Sequence, residues 1–119
     1  MKVLIVDDNE NNMTLLRDLL RFHGFDTIEA KDGAEGIAMA KAHRPDLILL
    51  DIQMPGMDGV TALRTLKAAV ETARIKIVAL TSSAMRGDKE KFLAEGADYY
   101  ISKPIDTREL PQLLKQLMG

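Results

Sequence analysis

The sequence predicts an α/β fold, an open, doubly wound sheet of five parallel strands with helices on both faces. Short β-branched apolar runs alternate with segments whose apolar residues recur at helical spacing. Glycine or proline stops the first, second and fourth helical segments. Strands alternating with helices in this way pair in parallel through right-handed crossovers.

Each element has a local reason. Lys2 to Val6 (KVLIV) is too short for a helix and ends abruptly at Asp7-Asp8-Asn9. Its unbroken apolarity suits a strand covered on both faces. Asn9 reads as a helix N-cap, with Glu10 at the positive end of the helix dipole. Leu16, Leu19, Leu20 and His23 then share a face before Gly24 stops the helix. Asp26 to Ala30 is a second strand, and Ala34 to His43 a small-residue helix that Pro45 keeps from continuing. Asp46 to Leu50 (DLILL) is a third buried strand, followed by a loop from Asp51 to Gly59 in which Asp58 caps the next helix. Val60 to Ala69 is helical, and Lys76 to Leu80 (KIVAL) is the fourth strand. Met85 to Glu95 makes a charged helix ended by Gly96, and Asp98 to Ile101 a short fifth strand. Asp106 caps a last helix carrying Leu110, Leu113, Leu114 and Leu117.

Composition bounds the function. A length of 119 residues suits one compact domain, and the expectation is a single domain over 1–119. Gly119 closes the last helix, so no effector segment is expected after it. A hydrophobic fraction of 46% excludes a mostly disordered chain, while 4% aromatics and no Trp leave the core to aliphatic side chains and Met. Few aromatics and a net charge of -2 argue against nucleic-acid binding. There is no Cys, which removes disulfides and thiolate metal sites. Strand-like sequence from Lys2 leaves no room for a signal peptide, and no apolar run nears bilayer length. A soluble, cytoplasmic monomer is expected.

The polar residues at strand ends carry the chemistry. Asp7 and Asp8 follow the first strand, Asp51 the third, Thr81 the fourth and Lys103 the fifth. Open parallel sheets bind ligands beyond the carboxyl ends of their strands, where strand order reverses. If the first strand is central, flanked by the second and third, these five residues converge. Three crowded carboxylates repel one another, and a hard divalent cation relieves that repulsion. Oxygen-only donors favour Mg²⁺, with Mn²⁺ as the alternative, over zinc. Lys103 can neutralise a phosphoryl group on Asp51, and Thr81 offers it a hydroxyl. A carboxylate nucleophile, a metal and a lysine together describe phosphoryl transfer to aspartate.

The sequence resembles the response-regulator receiver domains of two-component signalling over essentially its full length. The resemblance rests on Val6-Asp7-Asp8-Asn9, Leu50-Asp51-Ile52-Gln53-Met54-Pro55-Gly56-Met57-Asp58-Gly59, Thr81-Ser82 and Lys103-Pro104. It implies a flavodoxin-like sheet of order 2-1-3-4-5 and makes Asp51 the phospho-acceptor. Asp8 and Asp51 match side-chain Mg²⁺ ligands, Asp7 the acid that holds metal-bound water, and Gln53 the position whose carbonyl completes the shell. Thr81 matches the switch hydroxyl, Lys103 the phosphoryl-binding lysine, and Tyr100 the aromatic whose ring turns inward on phosphorylation. A cis Lys103-Pro104 peptide is also implied. Ser82 departs from the Ala or Gly common in the family. Asn9-Glu10-Asn11-Asn12 and Ala84-Met85-Arg86-Gly87-Asp88 resemble both stand-alone cell-division regulators and receivers of hybrid kinases.

Blander roles compete at several positions. Strand-end aspartates commonly form turns or caps, the reading that suits Asp46, Asp98 and Asp106. His23 and His43 read as surface groups, the Met residues as core filler, and Tyr100 could simply pack at the sheet edge. The function expected is a switch that takes its phosphoryl group from a histidine kinase or phosphotransfer protein. Its downstream partner would bind the face made by the fourth helix, fifth strand and fifth helix, with Arg86, Lys89 and Lys91 at the rim. An aspartate-dependent phosphohydrolase is the enzymatic alternative. It would need a general acid where Gln53 stands, and a cap that no loop here is long enough to form. A receiver-like binding module without phosphorylation is the third reading.

Overall fold

A computed structural model describes residues 1–52, 59–81, 88–103 and 105–118, with only the backbone described at 88 and 89. Its strands are β1 (Lys2–Val6), β2 (Asp26–Ala30), β3 (Leu47–Asp51), β4 (Lys76–Thr81) and β5 (Tyr99–Ser102). Between and after them come α1 (Glu10–Phe22), α2 (Gly33–His43), α3 (Gly59–Ala68), α4 (Asp88–Ala94) and α5 (Leu110–Met118). All neighbouring strands pair in parallel, in the order β2-β1-β3-β4-β5. The expected doubly wound sheet is the one observed.

Alternate strand residues feed two cores. Val3, Ile5, Leu47, Leu49, Val78 and Leu80 meet α1 through Met13, Leu16 and Leu20, and α5 through Leu110 and Leu114. Leu4, Val6, Ile48, Leu50, Ile77 and Ala79 face the opposite way, onto Ala40, Ala62, Leu63, Leu66 and Phe92 of α2 to α4. Burial on both faces is why the strands read as unbroken apolar runs.

Caps and clamps fix where elements begin. Asn9 Oδ1 accepts from the Asn12 amide at 3.0 Å, and Asp32 Oδ1 from the Glu35 amide at 2.8 Å. Gly24, after α1, has φ +88, a turn that glycine makes without strain. Asp46 ties β3 to β1 by accepting the Lys2 amide at 2.8 Å. Asp98 Oδ2 accepts from the Ile77 amide at 2.8 Å and from Lys67 Nζ at 3.0 Å, binding the start of β5 to β4 and α3.

Some boundaries differ from the sequence reading, for local reasons. Asp51 and Thr81 are the last residues of their strands rather than the first of the loops, because the β3–β4 ladder runs through Asp51. Helix α5 begins at Leu110 instead of beside Asp106. The Asp106 carboxylate accepts the Arg108 amide, and its carbonyl accepts the Glu109 and Leu110 amides, so a tight turn precedes the regular helix. Pro111 then sits in the first turn, where a missing N–H costs nothing. His23 is exposed at the end of α1 instead of sharing the buried face, which belongs to Met13, Leu16 and Leu20. Helix α3 already includes Gly59, packed so closely that an added Cβ would clash with the Ile52 backbone. Gln53, Asp58, Ser82, Met85, Arg86 and the Lys103-Pro104 peptide lie outside the described residues, as does the Lys89 side chain. Among the described residues, no helix is long and apolar enough to cross a membrane.

Candidate functional site

The site forms where strand order reverses. β1 has β2 on one side and β3 on the other, so the crevice between them opens at the carboxyl ends of β1 and β3. Val6 is level with Leu50 across that pair, which brings Asp7 beside Asp51. Asp7, Asp8 and Asp51 each present a carboxylate oxygen within 4.8 Å of the others. Asp7 and Asp51 are buried, whereas Asp8 is exposed. Leu80 is the register partner of Asp51, so Thr81, also buried, stands one residue beyond it.

Lys103 enters from the end of β5. Its amide donates to the Thr81 carbonyl at 2.7 Å, which fixes the start of its side chain. Its ammonium donates to Asp51 Oδ2 at 3.2 Å and lies 3.9 Å from Asp7 Oδ2. Asp7, Asp8, Asp51 and Lys103 therefore meet, and strand register places Thr81 beside them. Gln53 falls outside the described residues.

Electrostatics single out Asp7. Burial raises its pKa above the usual carboxylate value, and the Asp51 charge raises it further. The Asn9 amide, 2.8 Å from Oδ1, and the Lys103 charge pull the other way. Asp7 Oδ2 is buried and has no hydrogen-bond partner among the described residues. A buried, unsatisfied carboxylate oxygen among two further carboxylates suits a hard cation, so the donor set fits Mg²⁺. A cavity of about 340 Å³, lined in part by Asp7, Asp8, Glu10 and Arg17, adjoins the cluster on the α1 side.

Two neighbours went unassigned in the sequence reading. Asn9 was identified only as a cap, yet its amide holds Asp7; the Asp-x-Asn spacing of an Asx turn is the signal that reveals this. Phe92 was not singled out, and its ring stacks on Tyr100 with centroids 5.9 Å apart. Tyr100 lies on the edge strand β5, half-buried, and packs there against the α2–α4 core.

Known proteins share this architecture. The family model for the response regulator receiver domain matches residues 3–115. The polar-differentiation response regulator DivK of Brucella anthropi is 43% identical over 117 residues, covering 98% of this chain and 95% of that protein. The receiver domain of a sensor histidine kinase from Pseudomonas aeruginosa, solved with a magnesium ion coordinated in its active-site cleft, superposes with a TM-score of 0.91. It is 35% identical, and the match covers 99% of this chain and 97% of that one. The chemotaxis protein CheY4 of Vibrio cholerae superposes with a TM-score of 0.90 at 29% identity, covering 97% and 96% of the two chains. By its sequence match, strand order and acid cluster, this chain belongs to the response-regulator receiver domain family of two-component signalling.

Proposed function

We propose that the chain is a phospho-acceptor switch in which Asp51 takes a phosphoryl group from a histidine kinase or phosphotransfer protein. The observation that carries this reading is the Asp51 carboxylate held 3.2 Å from Lys103 Nζ, within a cluster completed by Asp7 and Asp8. One Asp51 oxygen attacks the donor phosphorus, the P–N bond of phosphohistidine breaks, and its electron pair stays on the imidazole, which takes up a proton. Asp7, Asp8 and Asp51, with the Gln53 carbonyl, would hold Mg²⁺ or Mn²⁺, which would neutralise charge on the incoming phosphoryl oxygens. Lys103 shifts from a carboxylate oxygen to a phosphoryl oxygen with little movement. Thr81 donates its hydroxyl to another.

The switch follows from charge. A phosphoryl group adds acceptor oxygens beside Thr81 and Lys103, drawing the Thr81 hydroxyl toward them. Tyr100, on the neighbouring strand, responds through its packing against Phe92. The output surface we assign is the face of α4, β5 and α5. A groove of about 270 Å³ lined by Tyr99, Tyr100, Ile101, Ile105 and Leu113 supports this choice. The receiver unit we propose spans residues 1–119, works in the cytoplasm and acts as a monomer.

The test is phosphorylation by acetyl phosphate with Mg²⁺, read by intact mass. The wild type should gain one phosphoryl group and Asp51→Asn none. Undiminished labelling of Asp51→Asn would overturn the assignment.

A further inference from the structure

The Asp7 carboxylate is oriented by the residue that starts α1. Asp7 Oδ1 accepts the Asn9 amide at 2.8 Å, an Asx turn that leaves Oδ2 as the oxygen turned toward Lys103 and, among the described residues, without a hydrogen-bond partner. The Asn9 amide is itself held in place. Asn9 Oδ1 accepts from the Asn12 amide at 3.0 Å, and the Asn9 carbonyl accepts from the Met13 amide at 2.9 Å. Asn9 lies in the extended region at φ -90 and ψ 113, as an N-cap requires. Met13 is buried in the core, so the first turn of α1 is anchored against the sheet. The orientation of Asp7 thus depends on a hydrogen bond made on the far side of Asn9.

We infer that Asn9 is a positioning residue for the acid cluster: by capping α1, its side chain fixes the backbone amide that holds Asp7 with one oxygen facing the cation position. The inference rests on the cluster being a divalent-cation site. The Asn9 side chain is engaged with the Asn12 amide, so it acts on the cluster through Asp7. Serine, which caps as well as asparagine, can replace it; alanine, which cannot cap, leaves the amide in place but free to swing.

Asp32 provides the matched control. It caps α2 by the same hydrogen bond, to the amide of Glu35 three residues on, and belongs to no part of the acid cluster. Mg²⁺ titrations of the full chain, followed by ¹⁵N amide shifts, should be run on the wild type, Asn9→Ala, Asn9→Ser and Asp32→Ala. Loss of an outer support commonly weakens metal affinity about tenfold, and that rise in Kd is expected for Asn9→Ala. Asn9→Ser should stay within about twofold of the wild type. Asp32→Ala should lower the melting temperature as much as Asn9→Ala does and leave Kd unchanged. Wild-type affinity in Asn9→Ala, or equal weakening in Asp32→Ala, overturns the inference.

A metal-free measurement separates this inference from the cation reading. Hydrogen exchange at the residue-9 amide, bonded to Asp7, should be about tenfold faster in Asn9→Ala than in Asn9→Ser or the wild type. If the wild type binds no Mg²⁺, the cation reading fails. Unchanged exchange at residue 9 in Asn9→Ala means that the cap does not hold Asp7.

Discussion

The rings of Phe92 and Tyr100 lie stacked, 5.9 Å between centroids and 19° from parallel, joining α4 to β5. Phe92 is buried and Tyr100 half-buried, so the pair forms a partly covered aromatic seam between the helix and the strand. The chain has only three Phe and two Tyr, so a contact between two of them leaves few other aromatic supports.

Removing the stack should loosen both elements together. Phe92→Ala is expected to cost about 3 kcal/mol in urea denaturation, the usual result of emptying a buried aromatic position. Tyr100 ring protons should move toward random-coil shifts. A Tyr100 spectrum unchanged in Phe92→Ala would show that the ring is held by the rest of the core instead.

The acid cluster should be a liability when no metal is present. Burial and the Asp51 charge raise the Asp7 pKa above its unfolded value of 3.8. The folded protein then binds that proton more readily, so Asp7 costs stability as pH rises from the unfolded value to the folded one, and the whole cost remains at neutral pH. Asp7→Asn keeps the acceptor for the Asn9 amide and removes the charge. Thermal unfolding in EDTA at neutral pH should show the variant more stable, by about 1 kcal/mol. Added Mg²⁺ should raise the melting temperature of the wild type more than that of the variant. A variant less stable in EDTA would contradict this account.

A second carboxylate shows the opposite sign. Glu95, just after α4, receives both Arg64 Nε and Nη2 from α3, and this hydrogen bonding lowers its pKa below 4.5. A depressed carboxylate contributes stability that is complete above its unfolded value and lost as pH falls through its folded one. Arg64→Ala should therefore melt slightly earlier than the wild type at neutral pH, and the two curves should merge in acid. Because Arg64 is exposed and Glu95 only half-buried, the gap should also shrink in high salt. A gap that widens on acidification would remove the ion pair as its cause.

Much of the architecture was legible because hydrophobic periodicity and stop signals agree. KVLIV, DLILL and KIVAL sit on the three central strands, whose burial on both faces makes the signal strong. Strand limits were harder. The edge strand β2 has the expected limits, whereas β5, short and only partly buried, and the central β3, whose ladder runs through Asp51, each shifted by one residue. The start of α5 depended on how Asp106 shares its carbonyl and carboxylate among three amides, with Pro111 as the sequence clue. At the site, strand order explains why Asp7, Asp8, Asp51, Thr81 and Lys103 meet. Periodicity reports which residues are buried but not which neighbours they touch, so the Asn9 amide on Asp7 and the Phe92 ring on Tyr100 required coordinates.

Gly59 packs against the backbone of Ile52, next to Asp51, the proposed acceptor, and donates its amide to the Ile52 carbonyl at 3.2 Å. A methyl group at position 59 has nowhere to go without moving the end of β3. A saturation screen for signalling should therefore rank Gly59 close to Asp51 in intolerance, although Gly59 has no group that could touch a phosphate. Intolerance there measures clearance rather than chemistry. Grafting the proposed acceptor onto another α/β scaffold has to carry the gap along with the aspartate.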